Sequence, residues 1–148
     1  MDSVTLAEML RRDHEEWAAL VAVLDARPTG AVHDPESPSW QARDVYSHFT
    51  RWIHRSTDEL EARADGRTLA RLEGSDDEIN ARWQGEDARL TLDEARSRAQ
   101  AAFDRRVAVV RAVAKDRWHD GLAAIVYADG YEHIAAHRRY IEAAGGIP

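Results

Sequence analysis

Apolar residues in this chain recur at steps of three and four, and nowhere do they alternate with polar ones. That spacing is the strongest constraint on the fold. It puts one greasy stripe on each of several helices and leaves no segment with the period-two pattern of a strand. Leu6, Leu10, Trp17, Val21 and Leu24 form the first stripe, predicting a helix from about Val4 to Ala26. Thr5-Leu-Ala-Glu8 reads as its capping box, and Pro28 and Gly30 as its end. Three of the four prolines, Pro28, Pro35 and Pro38, then fall in one short linker.

A second helix is expected after Ser39 as N-cap, running to about Ala64 and burying Val45, Phe49, Trp52, Ile53 and Leu60, with Gly66 at its exit. Ser75-Asp-Asp-Glu78 opens a short helix through Ile79, Asn80 and Trp83, stopped by Gly85. Thr91-Leu-Asp-Glu94 opens a long one carrying Leu92, Ala99, Phe103, Val110 and Val113 to about Lys115. The last helix is expected to run unbroken from near Asp120 to Gly145-Gly146. The fold class is therefore all-α: four long amphipathic helices around one core, with a short extra helix between the second and third. The 148 residues suit a single domain spanning 1–148.

Composition narrows the function classes. A formal charge of −7 disfavours binding to phosphate backbones. Arg63, Arg67 and Arg71 share a helical spacing, but Glu59, Glu61, Asp65 and Glu73 dilute them into a solvated face. No apolar run approaches the roughly 20 residues of a membrane span. The first residues lack a basic segment followed by an apolar one, so a cytoplasmic protein is expected. The absence of cysteine removes disulfides, thiolate ligands and a cysteine nucleophile.

What remains is histidine. His133 and His137 lie four apart, one turn of helix, and so converge on one face. Their stripe is apolar at Leu122 and Val126 but polar from Asp129 onward, and burying those groups is costly unless something compensates them. A divalent metal (zinc, nickel or iron) would do so. The pair reads His-Ile-Ala-Ala-His, without the glutamate that serves zinc proteases as general base. A third ligand must come from another helix. His48 is favoured because it flanks the buried face of the second helix, and His14, between Leu10 and Trp17, has a similar claim. His33, His54 and His119 read as loop or surface residues.

Two stretches, Trp40-x7-His48-x3-Trp52 and Tyr131-Glu-His133-x3-His137, give the chain a family likeness. It resembles the DinB-like superfamily of four-helix bundles. Asp77-Glu-Ile-Asn80 and the helix from Leu92 are similar to its mycothiol-dependent maleylpyruvate isomerases and ClbS/DfsB-like members. The resemblance implies that His48, His133 and His137 are the metal ligands. It further implies a metal-dependent enzyme acting on small electrophiles with a low-molecular-weight thiol such as mycothiol, and a homodimer. A metal-dependent hydrolase and a non-catalytic small-molecule binding or toxin-resistance protein are the alternatives. Asp129 is the candidate to orient a ligand or accept a proton. His14, Trp52 and Asn80 are candidates to line a substrate pocket. The expected seam of the dimer uses Val107, Val109, Ile125 and Ile134.

Overall fold

The computed structural model describes residues 3–145, and these contain six α-helices and no strand. The helices are α1 (Ser3–Asp25), α2 (Ala42–Ala64), α3 (Asp76–Glu86), α4 (Leu92–Ala112), α5 (Asp120–Ala128) and α6 (Tyr131–Ala144), with a single 3-10 turn at Lys115–Arg117. Helix α2 packs most extensively on α4, and α1 on α6. The main core draws Trp17, Leu20 and Leu24 from α1, Val45, Phe49 and Ile53 from α2, Ala99 and Phe103 from α4, and Ile134 and Ile141 from α6. A second cluster at the other end joins Met9, Leu60, Val110, Trp118, Leu122 and Val126. No helix among the described residues is long and apolar enough to cross a membrane.

Two of the expected caps form. Ser75 Oγ accepts the Glu78 amide at 3.2 Å. Thr91 Oγ1 accepts the Glu94 amide while the Glu94 carboxylate accepts the Thr91 amide, both at 3.1 Å. Other boundaries differ. Helix α1 begins at Ser3, so Thr5 lies inside its first turn, and Glu8 binds Arg11 and Arg12 instead of a cap. Ser39 does not cap α2. The linker closes on itself through an antiparallel bridge between Ala31 and Gln41, which keeps the chain extended through Trp40, so that α2 starts one residue after Gln41. The Asp44 carboxylate then accepts the Gln41 amide at 2.9 Å. Gly85 is carried inside α3. Helix α4 stops at Ala112, short of Lys115, where the chain turns to bury Trp118 beside Leu122. Gly146 lies outside the described residues.

The largest departure is in the last helix, which breaks between α5 and α6 at Asp129 and Gly130. The cause is a buried ion pair. Asp13 of α1 and Arg106 of α4 are 0% and 2% exposed, and Arg106 Nη2 donates to Asp13 Oδ2 at 2.9 Å. The same nitrogen donates to the Val126 carbonyl at 2.8 Å, near the C-terminus of α5. The other Asp13 oxygen accepts the Tyr131 amide at 2.8 Å, at the first residue of α6. Each free helix end has been given a partner by a side chain from elsewhere. A β-carbon at Gly130 would sit 3.0 Å from both Arg106 Nη2 and Asp13 Oδ1, so any side chain there crowds the ion pair.

The residues expected to form a dimer seam differ in burial. Ile134 is fully buried in the main core, and Val107, Val109 and Ile125 are half-buried against the second cluster.

Candidate metal centre

His48 comes from the second turn of α2, and His133 and His137 from successive turns of α6. The fold brings these three imidazoles together: one ring nitrogen from each lies within 4.8 Å of the other two. Nε2 of His133 and Nε2 of His137 are 3.2 Å apart. Two nitrogens held on a tetrahedral ion by bonds of roughly 2.0–2.1 Å stand about 3.3 Å apart, so the spacing already matches such an edge. The Phe49 ring underlies the cluster, with centroids 5.0 Å from His133 and 4.9 Å from His137, and Trp40 flanks His48 at 5.1 Å. These rings fix the imidazoles and keep water from behind them.

Each imidazole also has a polar group at its back. His137 and Asp34 are both 2% exposed, and Nδ1 of the histidine lies 2.7 Å from Asp34 Oδ2. A carboxylate there makes Nδ1 the protonated nitrogen and leaves the Nε2 lone pair turned into the cluster. Asp34 is itself held: its Oδ1 accepts the Glu36 amide at 2.8 Å, and the preceding residue, His33, takes a left-handed φ of 56° that turns the chain inward. Behind His133 stands Asp129, with Oδ1 3.2 Å from Nδ1 but without the alignment of a hydrogen bond. Near His48 lies Asn80 of α3, whose Oδ1 accepts the Trp52 indole N–H at 2.7 Å.

His48 is the least satisfied of the three. It is 4% exposed, and its Nε2 has no hydrogen-bond partner. Burial holds its pKa down to about 2, and the two neighbouring imidazoles push the same way, while the Asn80 amide opposes them. His48 is thus neutral, the form in which imidazole donates to a metal. Three converging imidazoles, one neutral with an unpartnered nitrogen and two backed by carboxylates, are a donor set that a divalent ion fits.

A cleft of about 740 Å³ opens over the cluster, lined by His48, His133, Trp52, Asn80 and Asp129 among others. Five of the residues singled out in the sequence therefore meet at one place, with His137 beneath them. His14 does not. It is exposed, its ring 6.3 Å from that of Phe103, and it lines a separate cavity of about 840 Å³ with Leu10, Val107 and Trp118. His54 lies against Arg105 at 3.1 Å, and His119 caps α5 by accepting the Gly121 amide at 3.2 Å. Asp34 and Asp13 were not anticipated. The one sequence signal for Asp34 is its place in the proline-rich linker before Pro35, where a short acidic side chain readily binds the amide two residues on.

Neither a family model, nor a curated protein, nor a solved structure matches the chain.

Proposed function

We propose that His48, His133 and His137 hold one divalent cation, and that the protein is a metal-dependent enzyme acting on small electrophilic molecules with a low-molecular-weight thiol. The observation that carries this reading is the convergence of three imidazole nitrogens within 4.8 Å around the stranded Nε2 of His48. The same reading takes the helical core as a four-helix bundle of the DinB-like type. Support comes from the order of α1, α2, α4 and the α5–α6 pair around one core, with the short α3 between α2 and α4.

A divalent ion held by three protein ligands keeps an open position, where it lowers the pKa of a bound thiol and acts as a Lewis acid. The chain's own residues supply the rest. Asp34 orients His137, Phe49 and Trp40 exclude water from behind the rings, and Asp129 stands at the cleft wall in position to accept a proton. Trp52 and Asn80 shape the side of the cleft that a substrate meets. Asp129 also favours a second reading, hydrolysis, in which it takes a proton from water instead of a thiol.

The test is turnover. Protein loaded with zinc, nickel or iron is supplied with mycothiol, bacillithiol or glutathione and a model electrophile such as chlorodinitrobenzene or maleylpyruvate. Metal-dependent consumption of thiol that disappears in His48→Ala supports the reading. Metal-dependent hydrolysis of esters without any thiol requirement would favour the second.

A further inference from the structure

The cleft above the three histidines has walls of a single charge. Glu36, Asp76, Asp129 and Glu132 line it, and no lysine or arginine does. Four other cavities each carry at least one arginine, among them Arg11 and Arg111 in one and Arg51 and Arg55 in another. The acidic lining therefore does not merely follow from the net charge. Nor are these carboxylates neutralised by neighbours. Among the described residues Asp129 has only the His133 ring beside it, Glu36 only a long 3.4 Å contact from the Asn80 amide, and none of the four pairs with a lysine or arginine.

Two further features point to an occupant. His48 lines this cleft at only 4% exposure, and its Nε2 is buried without a hydrogen-bond partner. Tyr127 stands 38% exposed at the wall, one of two large hydrophobic residues so exposed among the described residues, and Trp52 also lines the cleft. Exposed aromatic faces beside carboxylates form the usual cradle for an ammonium group.

We propose that the molecule bound in this cleft is a cation, with an amine or ammonium group held at the mouth by Glu36, Asp76 and Glu132 and against the ring of Tyr127, while its opposite end reaches the histidines. The proposal rests on the metal-centre reading for what happens at that inner end, and on the charge of the walls for its own content. A dipositive ion does not reverse the preference, because four carboxylates line the cleft. An anionic partner meets like charge from both walls.

The experiment uses three small thiols of similar size and different charge: cysteamine (cationic), mercaptoethanol (neutral) and mercaptoacetate (anionic). Each is titrated into cobalt-loaded protein, and binding is read from thiolate-to-cobalt absorption. The quantity compared is the ratio of cysteamine to mercaptoacetate affinity in the natural protein and in the triple variant Glu36→Gln, Asp76→Asn, Glu132→Gln. The proposal expects this ratio to fall at least about tenfold in the variant, and to shrink with added salt in the natural protein. A ratio unchanged by the three substitutions overturns it. Should the protein take up no cobalt, or no thiol alter its spectrum, the metal-centre reading fails by itself. The metal-free protein titrated calorimetrically with benzylamine and benzoate then decides the charge question. Benzylamine binding that is lost in the triple variant sustains the proposal, and benzoate binding as tight as benzylamine, or no binding of either, refutes it.

Discussion

Two polar clusters are buried in this molecule, and they differ in kind. Asp13 and Arg106 neutralise one another, and between them they satisfy the Val126 carbonyl and the Tyr131 amide; only Arg106 Nε is left over. That cluster is complete within the chain. The histidine cluster leaves Nε2 of His48 and Nδ1 of His133 without partners, although the Asp34 and Asp129 carboxylates stand behind two of its rings. A buried polar group costs stability unless it is paired, so the first cluster reads as structure, while the second suits the proposed metal site. The two are also coupled. The ion pair fixes where α5 ends and α6 begins, and His133 stands only three residues past Gly130.

Breaking the ion pair should have the largest effect. Asp13→Ala or Arg106→Ala leaves an uncompensated buried charge and is expected to cost about 3–5 kcal/mol in denaturant unfolding, with or without metal. Replacing both with apolar residues of similar volume should recover most of that loss. A single variant with unchanged midpoint would show that the pair is not the structural element described. A milder test of the same junction is Gly130→Ala, whose β-carbon crowds Arg106 and Asp13. Overpacking there is expected to cost roughly 1–3 kcal/mol.

At the other cluster, Asp34→Asn should leave the helices intact and weaken zinc affinity about 10- to 100-fold, because His137 loses the carboxylate that fixes its protonated nitrogen. Equal affinity in a competition titration would mean that Asp34 serves the loop alone. The pH dependence of metal-free protein probes the same cluster. His48 stays unprotonated in the folded state down to about 2, whereas the unfolded chain takes up that proton near pH 6.5. The unfolded state therefore binds more protons below pH 6.5, and stability is lost as pH falls through and below that value. Above it the contribution is level. In His48→Ala the acid limb of the stability profile should be shallower; an unchanged slope would remove His48 as its source.

The contrast also explains what was legible in the sequence. His133 and His137 announce themselves because both ligands lie on one helix, where spacing is geometry. His48 needed the family resemblance, since no spacing rule links residues on different helices. The first helix shows the limit. Counting from Leu10, Asp13 and His14 are the third and fourth residues on, so the helical period admits either to the apolar stripe. His14 appeared the better core residue, yet Asp13 is the one buried and His14 faces out. What decides between them is Arg106, 93 residues away, which no local pattern can report. The same partner breaks the last helix, whose three-and-four spacing otherwise runs on from Leu122 and Val126 through Asp129 to His133. Asp34 was hidden for a similar reason, being a linker residue whose role exists only once α6 is packed beside it.

The central claim is that the histidine cluster lacks only a metal ion, and its most direct test is stoichiometry in matched variants. The natural protein and the His14→Ala, His48→Ala, His133→Ala and His137→Ala variants are equilibrated with zinc, desalted, and analysed for bound metal alongside thermal unfolding. The account predicts one zinc per chain in the natural protein and in His14→Ala. It predicts metal-dependent stabilisation there of about 2.7 kcal/mol at a hundred times the dissociation constant, and loss of both in the other three, which stay helical. Retained zinc in the His48, His133 and His137 variants, or none in the natural protein, would contradict it.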